Sequence, residues 1–301
     1  MSRKLLQRYY KILGEEFDPE TIELRKALRV NTLKTNSKDL KERLEERGVK
    51  LEAIPYLKDA FWFEAEFSLA STEEYLLGLF YIQEPASQLV SHVFLSDYKA
   101  SDNKIKFLDM AAAPGSKTTH IAQLTNDKET IVAVDNNMSR ITVLKNNIDR
   151  LGLQSILIYK KDSRFADDLE QTFDYVLLDA PCSGNFCVEE RFFEKRSLQD
   201  VQTRVDLQKE LLRSAHRVLN KNGVLVYSTC SLEPEEDEEM VDWFISEFED
   251  MIVEKIDLEI GDAGITEFGR KSYSKEVAKT KRFWPHKTGL QGFYIAKLRK
   301  K

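Results

Sequence analysis

From Ile105 to the end of the chain, apolar strand-like runs alternate with longer segments of helical periodicity. This alternation predicts an α/β fold with a mostly parallel sheet and helices on both faces. Two later apolar runs bring the predicted sheet to seven strands, with the last one inserted antiparallel. The strands are predicted at IKFLDM, TIVAVD, SILIYKKD, FDYVLLD, GVLVYSTC, DMIVEKID and GFYIAKLRK, and the helices at SKTTHIAQLT, MSRITVLKNNIDRLG and DLQKELLRSAHRVLNKNG.

The region before Ile105 has a different pattern, typical of a small α+β module. ALRVNTLKT (27–35) predicts a strand, NSKDLKERLEERG (36–48) a capped helix that ends at glycine, and VKLEAIPYLKDAFWFE (49–64) one or two further strands. Its basic and aromatic residues suit RNA binding, and a plain packing module fits the same pattern. The polar stretch SDYKASDNK (96–104) predicts the boundary between an N-terminal domain, 1–100, and a second domain, 101–301.

Composition limits the class of protein. The chain has 301 residues, 42% of them hydrophobic, which is enough for a large core. Its apolar runs are shorter than the roughly 20 residues of a membrane span, and its first residues lack the cleavage site of a signal peptide. An odd count of three cysteines argues against a disulfide scaffold. These features predict a cytoplasmic protein with free thiols, and a monomer is the simplest assumption.

Charge is unevenly distributed along the chain. Residues 1–50 carry 13 Lys and Arg against 9 Asp and Glu, and residues 270–301 carry 11 against 1. With a total of −6, the middle of the chain is strongly acidic. The basic ends predict contacts with a polyanion, although solvated lysines would give the same count.

Polar residues follow the predicted strands at their carboxyl ends, where parallel sheets bind ligands. These residues are Asp109, Asp135, Asp162, Asp179, Cys182 and Cys230.

The segment FLDMAAAPGSKTTHIAQL places a small-residue turn between a strand and a helix. A phosphate-binding P-loop would need an adjacent Gly-Lys pair, but Ser116 separates Gly115 from Lys117. A dinucleotide fingerprint needs three glycines, and this loop has one. S-adenosylmethionine has no phosphate, so one glycine with flanking alanines suits it, with Asp135 for the ribose and Asp162 for the adenine amino group. A purely structural turn remains the alternative.

A thiol beside an acid at a nucleoside-binding edge suits methylation of a pyrimidine at carbon 5. Attack of a thiolate on carbon 6, with a proton supplied at ring nitrogen 3, makes carbon 5 nucleophilic. The thiol needs activation because its ordinary pKa of about 8.5 leaves little thiolate at neutral pH. These considerations do not choose between Cys182 and Cys230.

Several motifs together carry a family resemblance. DMAAAPGSKT, VAVDNNMSR, KKDSR, LLDAPCSG and YSTCSLEPEEDEE, supported by LRVNTLK, YIQEPASQL and RFWPHKTGLQGFYIA, resemble the NOL1/NOP2/Sun family of RNA cytosine-5 methyltransferases. The match spans nearly the whole chain and looks most like the compact archaeal tRNA methyltransferases of this family. It implies a Rossmann-like class I methyltransferase domain, S-adenosylmethionine as cofactor and an RNA substrate.

The resemblance also implies residue roles. Cys230 in STCS would attack carbon 6, Cys182 in DAPCSG would assist release of the product, Asp179 would contact the cytosine, and Lys117 would lie near the reacting base. DNA cytosine-5 methyltransferases use a Pro-Cys thiol instead, so the nucleophile assignment depends on STCS. The residues implied at the cofactor are Ala113, Pro114, Gly115, Ser116, Lys117, Asp135, Arg140, Asp162 and Asp179. Met110 and Ser116 depart from the usual residues of the family, which bears on cofactor affinity.

Other features have plainer interpretations. A zinc site from Cys182, Cys187, Cys230 and His216 lacks the usual Cys-x2-Cys spacing, so no metal is expected. Cys187 has no motif around it. EPEEDEE (233–239) is interpreted as the acidic first turn of a helix, and RFWP (282–285) either stacks on nucleic acid or anchors the last strand in the core.

The sequence therefore predicts an S-adenosylmethionine-dependent RNA cytosine-5 methyltransferase acting on tRNA, with ribosomal RNA as the alternative substrate and no membrane association. A small protein partner that sharpens specificity is compatible with it. An RNA-binding or ribosome-assembly protein without catalysis is the rival class. A methyltransferase for exocyclic amines is disfavoured because DAPC stands where such enzymes carry Asn/Asp-Pro-Pro-aromatic.

Overall fold

The computed structural model describes residues 3–100, 104–187, 189 and 191–301. Part of the predicted boundary segment, residues 101–103, lies outside the described residues. The helices are α1 (Arg3–Leu13), α2 (Ser37–Glu46), α3 (Glu73–Leu76), α4 (Pro85–Phe94), α5 (Ser116–Leu124), α6 (Met138–Leu151), α7 (Phe192–Lys195), α8 (Leu198–Val218), α9 (Glu238–Glu247) and α10 (Pro285–Thr288). The strands are β1 (Ala27–Val30), β2 (Lys50–Ala53), β3 (Ala60–Glu64), β4 (Phe80–Ile82), β5 (Lys106–Asp109), β6 (Thr130–Asp135), β7 (Ile156–Lys160), β8 (Phe173–Asp179), β9 (Leu219–Thr229), β10 (Met251–Glu254), β11 (Asp262–Ala263), β12 (Glu267–Phe268), β13 (Lys271–Ser272), β14 (Lys281–Phe283) and β15 (Phe293–Lys300).

Residue contacts divide the chain into two compact units. We call Arg25–Ser163 the central unit, and Met1–Leu24 together with Arg164–Lys301 the terminal unit. This division differs from the sequence-based one at residue 100, because the first helix groups with the C-terminal part of the chain and the rest of the N-terminal region groups with β5 to β7.

The central unit contains two sheets. Strands β2, β3, β1 and β4 form an antiparallel sheet in that order, and β5, β6 and β7 pair in parallel. The first sheet buries Leu28, Val30, Phe61 and Phe80 against Leu40 of α2. The predicted small α+β arrangement is therefore present.

Helix α6 shows how local sequence sets the ends of an element in the central unit. The Asn137 side chain accepts hydrogen bonds from the amides of Ser139 and Arg140 and so caps the first turn. Gly152 ends the helix with φ +75°, a left-handed conformation that glycine adopts at little cost. A parallel β–α–β arrangement follows from these signals together with the apolar strands on either side.

The terminal unit carries a mixed sheet. Strands β8 and β9 are parallel, while β15 is antiparallel to β9, β14 and β10, and β11 is antiparallel to β14. All seven predicted strands exist, and β15 is antiparallel as expected. Strands β11 and β14 are additional to the seven predicted strands and make the sheet of this unit mixed. Residues 284–292, which join β14 to β15, are too few for the crossover of about a dozen residues that parallel neighbours need.

Aromatic residues form a second core within the terminal unit. Tyr9 of α1 packs edge-on against Phe193 and Trp284 and lies beside Phe186. Trp284 is 2% exposed, so RFWP anchors the core, which was one of the two interpretations of this motif. Among the helices of the described residues, none is long and apolar enough to cross a membrane.

Candidate active site

The loop between β5 and α5 has the strand–turn–helix form that the sequence predicted. Gly115 precedes the first residue of α5 with φ +103°. A Cβ atom placed on it would lie 2.7 Å from Cδ1 of the buried Leu144 side chain, so both backbone conformation and space require glycine here. The loop therefore approaches α6 closely and leads directly into the N-terminus of α5.

Asp135, at the end of β6, holds this loop. Its carboxylate accepts hydrogen bonds from the amides of Ala113 (3.3 Å) and Asn137 (2.9 Å) and lies 3.5 Å from the Arg140 guanidinium. Arg140 also donates to the carbonyl of Ala113. Three of the predicted cofactor residues, Ala113, Asp135 and Arg140, are thus directly bonded to one another.

The other predicted cofactor residues of the central unit lie close by along the chain. The Pro114 carbonyl accepts a hydrogen bond from Asn147, and the Ser116 hydroxyl lies 3.3 Å from that of Ser87. Lys117 is buried in the first turn of α5. Asp162 follows β7 and is half-buried. The carboxylates after β6 and β7 thus keep the strand-end positions expected for recognition of a nucleoside.

Arg29 of β1 supports the same loop and was not predicted. Its guanidinium donates to Oε1 of Gln83 (2.9 Å), the Ser116 carbonyl (3.1 Å) and the Thr119 hydroxyl (3.0 Å). Complete burial lowers the pKa of Arg29 to about 9. An arginine within the apolar strand ALRV was the available signal, because a buried charge requires partners. Arg29 therefore holds the first turn of α5 in place through its hydrogen bonds to Ser116 and Thr119.

The two cysteines of the predicted site meet in the terminal unit. Parallel pairing of β8 with β9 places Asp179 opposite Ser228, and the chain beyond each strand carries Cys182 and Cys230. Their sulfur atoms are 3.1 Å apart, within hydrogen-bonding distance. The two cysteines, each of which follows a predicted strand in the sequence, are thus in direct contact in the structure.

Asp179 keeps an acidic group beside this pair. The Ser228 hydroxyl donates a 2.7 Å hydrogen bond to Oδ1 of Asp179. The Asp179 side chain is half-buried at the end of β8. An oriented carboxylate at this edge can contact a ring nitrogen or an amino group of a base.

Cys182 has a pKa raised well above its usual value. The causes are its hydrogen bond with Cys230, burial, and the negative charges of Cys230 and Glu236. A thiol with a raised pKa stays protonated at neutral pH and can donate its proton to a neighbouring sulfur. The two sulfurs therefore share one hydrogen bond, in which either sulfur can be the donor.

The acidic run EPEEDEE is mostly buried, which the interpretation as a helix turn did not anticipate. Helix α9 begins only at Glu238, and four side chains of the run are fully buried. The buried acids are Glu233, Glu236, Asp237 and Glu238. Arg8 binds Glu233 at 2.7 Å, and the buried Arg282 binds both Asp237 and Glu238. Glu238 and Glu239 lie in the first turn of α9, as predicted. The other acids of the run precede the helix and bind side chains elsewhere in the protein.

Much of the basic C-terminal segment is also engaged internally. Lys271 pairs with Glu239, Lys279 with Glu276, and Lys287 with Glu15 and Asp262, while Lys297 and Arg299 both bind Glu254. The net charge of this segment therefore overstates its capacity for external phosphates.

Within the described residues, no group of three or more histidine, cysteine or carboxylate side chains could hold a metal ion. His216 instead binds Asp250, and Cys187 is half-buried with its sulfur outside any disulfide bond.

Comparison with known proteins agrees with this arrangement. The family described as 16S rRNA methyltransferase RsmB/F matches residues 98–299, and the N-terminal domain of 16S rRNA methyltransferase RsmF matches residues 1–85. A methyltransferase homologue from Pyrococcus horikoshii has a similar structure, with a TM-score of 0.88 and 34% identity over 100% of this chain and 96% of that one. NSun6 from the same organism gives 0.84 with 27% identity, over 99% and 98% of the two chains. The fold and the loop thus define an α/β, Rossmann-like methyltransferase with a distinct N-terminal region.

Sequence relatives narrow the class further. The tRNA (cytosine(49)-C(5))-methyltransferase of Pyrococcus abyssi is 40% identical over 100% of this chain and 96% of its own length. Ribosomal RNA small subunit methyltransferase F of Vibrio campbellii is 39% identical over 92% of this chain, which spans only 57% of that protein. The chain belongs to the RsmB/F (NOL1/NOP2/Sun) family of RNA methyltransferases.

Proposed function

We propose that this protein methylates carbon 5 of cytosine in RNA, with tRNA as its substrate. The relative that matches over almost its whole length acts on cytosine 49 of tRNA, whereas the ribosomal RNA enzymes carry a large further part that this chain does not match. The contact between Cys182 and Cys230 is the single observation that supports the reaction type, because a covalent pyrimidine mechanism needs a nucleophilic thiol and two thiols lie side by side here.

S-adenosylmethionine is the proposed cofactor, and its binding site is assigned to the loop of the central unit. The donor set fits: Gly115 lets the loop turn closely against α6, Asp135 suits ribose hydroxyls, and Asp162 suits an adenine amino group. Ala113, Pro114, Ser116, Lys117 and Arg140 are the further residues of this assignment, and the family resemblance adds Asp179 to it. When bound, the cofactor supplies the methyl group that carbon 5 receives.

Cys230 is proposed as the nucleophile. Its thiolate forms a bond to carbon 6 while Asp179 holds the proton required at ring nitrogen 3, which turns carbon 5 into the nucleophilic centre. After methylation a base removes the proton of carbon 5, the bond between sulfur and carbon 6 breaks, and Cys230 leaves as a thiolate. Cys182, whose pKa is raised by its hydrogen bond with Cys230 and by burial, assists this release by hydrogen-bonding the departing Cys230 sulfur. Lys117 is assigned a place near the reacting base.

We also propose that the chain has two domains. The family matches at 1–85 and 98–299 support an N-terminal RNA-binding-like region, 1–100, and a methyltransferase domain, 101–301. The target cytosine must leave its stack to meet Cys230. Cysteines outside disulfide bonds suit the reducing cytoplasm, and we propose that the enzyme acts there as a monomer, with or without a small specificity partner.

The test is methyl transfer from labelled S-adenosylmethionine to separate pools of unmodified tRNA and ribosomal RNA, followed by identification of the nucleoside. We expect 5-methylcytidine at one tRNA position. Transfer to ribosomal RNA alone would reverse the substrate assignment, and no transfer to either would favour the non-catalytic rival.

The cysteine roles are tested with two variants. Cys230→Ala is expected to abolish both methylation and any covalent complex with RNA. Cys182→Ala is expected to accumulate a denaturation-resistant complex of protein and RNA. Full methylation by Cys230→Ala would refute the nucleophile assignment.

A further inference from the structure

We propose that Glu236 is a positioning residue that holds the Cys182 and Cys230 loops together by binding both with one buried carboxylate. The inference rests on the proposed function only for its consequence in catalysis, since the contacts themselves join the two cysteine loops whatever their chemistry.

Glu236 receives hydrogen bonds from the residue that follows each cysteine. On the Cys182 side, Ser183 donates its amide at 3.0 Å and also its hydroxyl. On the Cys230 side, Ser231 donates its hydroxyl at 2.6 Å. The two hydroxyl oxygens lie 3.3 Å apart. Both loops donate hydrogen bonds to the same carboxylate, so Glu236 restrains each loop relative to the other. Movement of either loop breaks its hydrogen bonds to Glu236 and removes this restraint.

Gln208 of α8 extends this arrangement. Its amide group donates to Oε1 of Glu236 at 2.9 Å and to the carbonyl of Pro181 at 3.1 Å. Cys182 is therefore held through the residue on each side of it. Asn185 similarly donates to the Cys230 carbonyl at 2.7 Å.

Glu236 differs from the other buried acids in its partners. Glu233, Asp237 and Glu238 each bind an arginine, whereas the hydrogen bonds to the Glu236 carboxylate come from neutral groups: the Ser183 amide, two hydroxyls and the Gln208 amide group. Burial without a cation raises the pKa of Glu236, and the four donors oppose that rise. A carboxylate kept in this costly position by donors from both cysteine loops indicates a role beyond packing.

A glutamine cannot replace this carboxylate. Its single amide oxygen would have to serve the acceptor positions of two oxygens, and its NH2 group would face donors from Ser183, Ser231 or Gln208. The negative charge has a second effect, because it helps to raise the pKa of Cys182. Glu236 thus positions the two cysteine loops and contributes, after Cys230 and burial, to the raised pKa of Cys182.

The experiment compares Glu236→Gln, Glu236→Asp and a matched control, Glu239→Gln, whose carboxylate binds Lys271 at the surface. For each we would measure the kcat and KM of methyl transfer, the thermal unfolding midpoint, and the pH dependence of iodoacetamide alkylation at each cysteine by peptide mass mapping. Alkylation of Cys187 serves as the internal reference, because it reports the reactivity of the reagent and any unfolding of the protein.

We expect Glu236→Gln to lower kcat by roughly 10- to 100-fold, since a displacement of about 1 Å has effects of this size, with little change in the KM for the methyl donor. Alkylation of Cys182 should begin at lower pH because the neighbouring charge is lost. Glu236→Asp retains the charge but not the reach, so it should lower kcat while Cys182 alkylation stays close to that of the unmodified protein. Glu239→Gln should match the unmodified protein in every measurement.

Two results would overturn the proposal. One is a kcat within twofold of the unmodified value in Glu236→Gln, and the other is a reduced kcat with an unchanged alkylation profile, which would indicate general destabilisation. If Glu236→Gln does not fold, Ser231→Ala provides the same test by removing one donor, with a several-fold loss of kcat expected at an unchanged unfolding midpoint. If the unmodified protein transfers no methyl group, the proposed function fails, while the alkylation profiles still decide the role of Glu236.

Discussion

The sulfur atoms of Cys182 and Cys230 lie 3.1 Å apart, although 48 positions separate the two residues in the chain. Neither strand alone creates this contact. It arises because β8 and β9 are parallel neighbours with Asp179 opposite Ser228, and because the two loops beyond them share the hydrogen bonds described for Glu236. The pair therefore behaves as one chemical unit, in which one thiol is a proton donor to the other.

The proximity of the two sulfurs predicts selective cross-linking. A diazenedicarboxamide oxidant should take two hydrogen atoms from the thiols and join Cys182 to Cys230, because the sulfurs need to move only about 1 Å to reach disulfide length. Peptide mapping by mass spectrometry should find this bond, and methyl transfer should be lost until a thiol reductant is added. Cys187→Ser should cross-link as the unmodified protein does, and a disulfide that includes Cys187 instead would contradict the geometry.

The buried ion pairs of Arg282 predict a large loss of stability. Its guanidinium is fully buried, 2.9 Å from Asp237, and also binds Glu238. Arg282→Met should lower the free energy of unfolding by about 3–5 kcal/mol, because two buried carboxylates lose their cation. Chemical denaturation would measure the change. Lys271→Met, which breaks the surface pair with Glu239, should cost no more than about 1 kcal/mol. Equal losses in the two variants would refute the role given to Arg282.

Gly115 predicts a steric effect at the cofactor loop. In Gly115→Ala the new Cβ would meet Leu144 at 2.7 Å and would also occupy a left-handed conformation. Overpacking of a core of this kind costs about 1–3 kcal/mol beyond the backbone strain, and binding of S-adenosylmethionine should weaken. Calorimetric titration and denaturation would measure the two effects. Gly269 has φ +65°, and a Cβ atom added to it would have no neighbouring atom within 4 Å. Gly269→Ala therefore isolates the cost of the backbone conformation, about 1 kcal/mol, and should leave cofactor affinity unchanged. The same loss in both variants would exclude the contact with Leu144 as the cause.

A pH dependence follows from His92 and His120 of the central unit. Their rings lie 5.1 Å apart, and burial, then the charge of Arg29, lowers the pKa of both. Because the folded pKa lies below the unfolded value of 6.5, the stabilising contribution is complete above pH 6.5 and is lost as pH falls through the folded pKa. Urea denaturation at pH 7.5 and about pH 5 should therefore show a larger decrease for the unmodified protein than for His120→Phe. An equal decrease in both would contradict this source of acid sensitivity.

Local sequence predicted much of the secondary structure. The seven strands and α2, α5 and α6 occur close to their expected positions, because apolar periodicity and caps act over a few residues. Helix α8 was predicted only from residue 206, although it begins at Leu198 behind a capping box of Ser197 and Asp200. That signal was present in the sequence as Ser-x-x-Asp. Its last predicted residues, 219–223, belong instead to β9, where the pairing of Leu219 with Phe173 of β8 overrides the local preference for helix.

Burial of charge was the main feature that the sequence did not reveal. The sequence predicts a strand around Arg29, an acidic helix turn around Glu236 and a basic C-terminal segment around Arg282. Each is fully buried because its partners come from distant parts of the chain: Gln83 and Thr119 for Arg29, Ser183 and Gln208 for Glu236, and Asp237 and Glu238 for Arg282. No local pattern reports such partners, since side-chain burial depends on tertiary packing.

The amino-acid sequence by itself determined the order of strands and helices, the glycine loop before α5 and the placement of a thiol beyond each of two strands. These features depend on periodicity, backbone conformation and short motifs, which act between near neighbours. Tertiary structure alone decided that Cys182 and Cys230 touch, that the pKa of Cys182 is raised, and that Glu236 joins their loops. Those properties depend on distance and burial between residues far apart in the chain, and they exist only once β8, β9 and α8 have packed together.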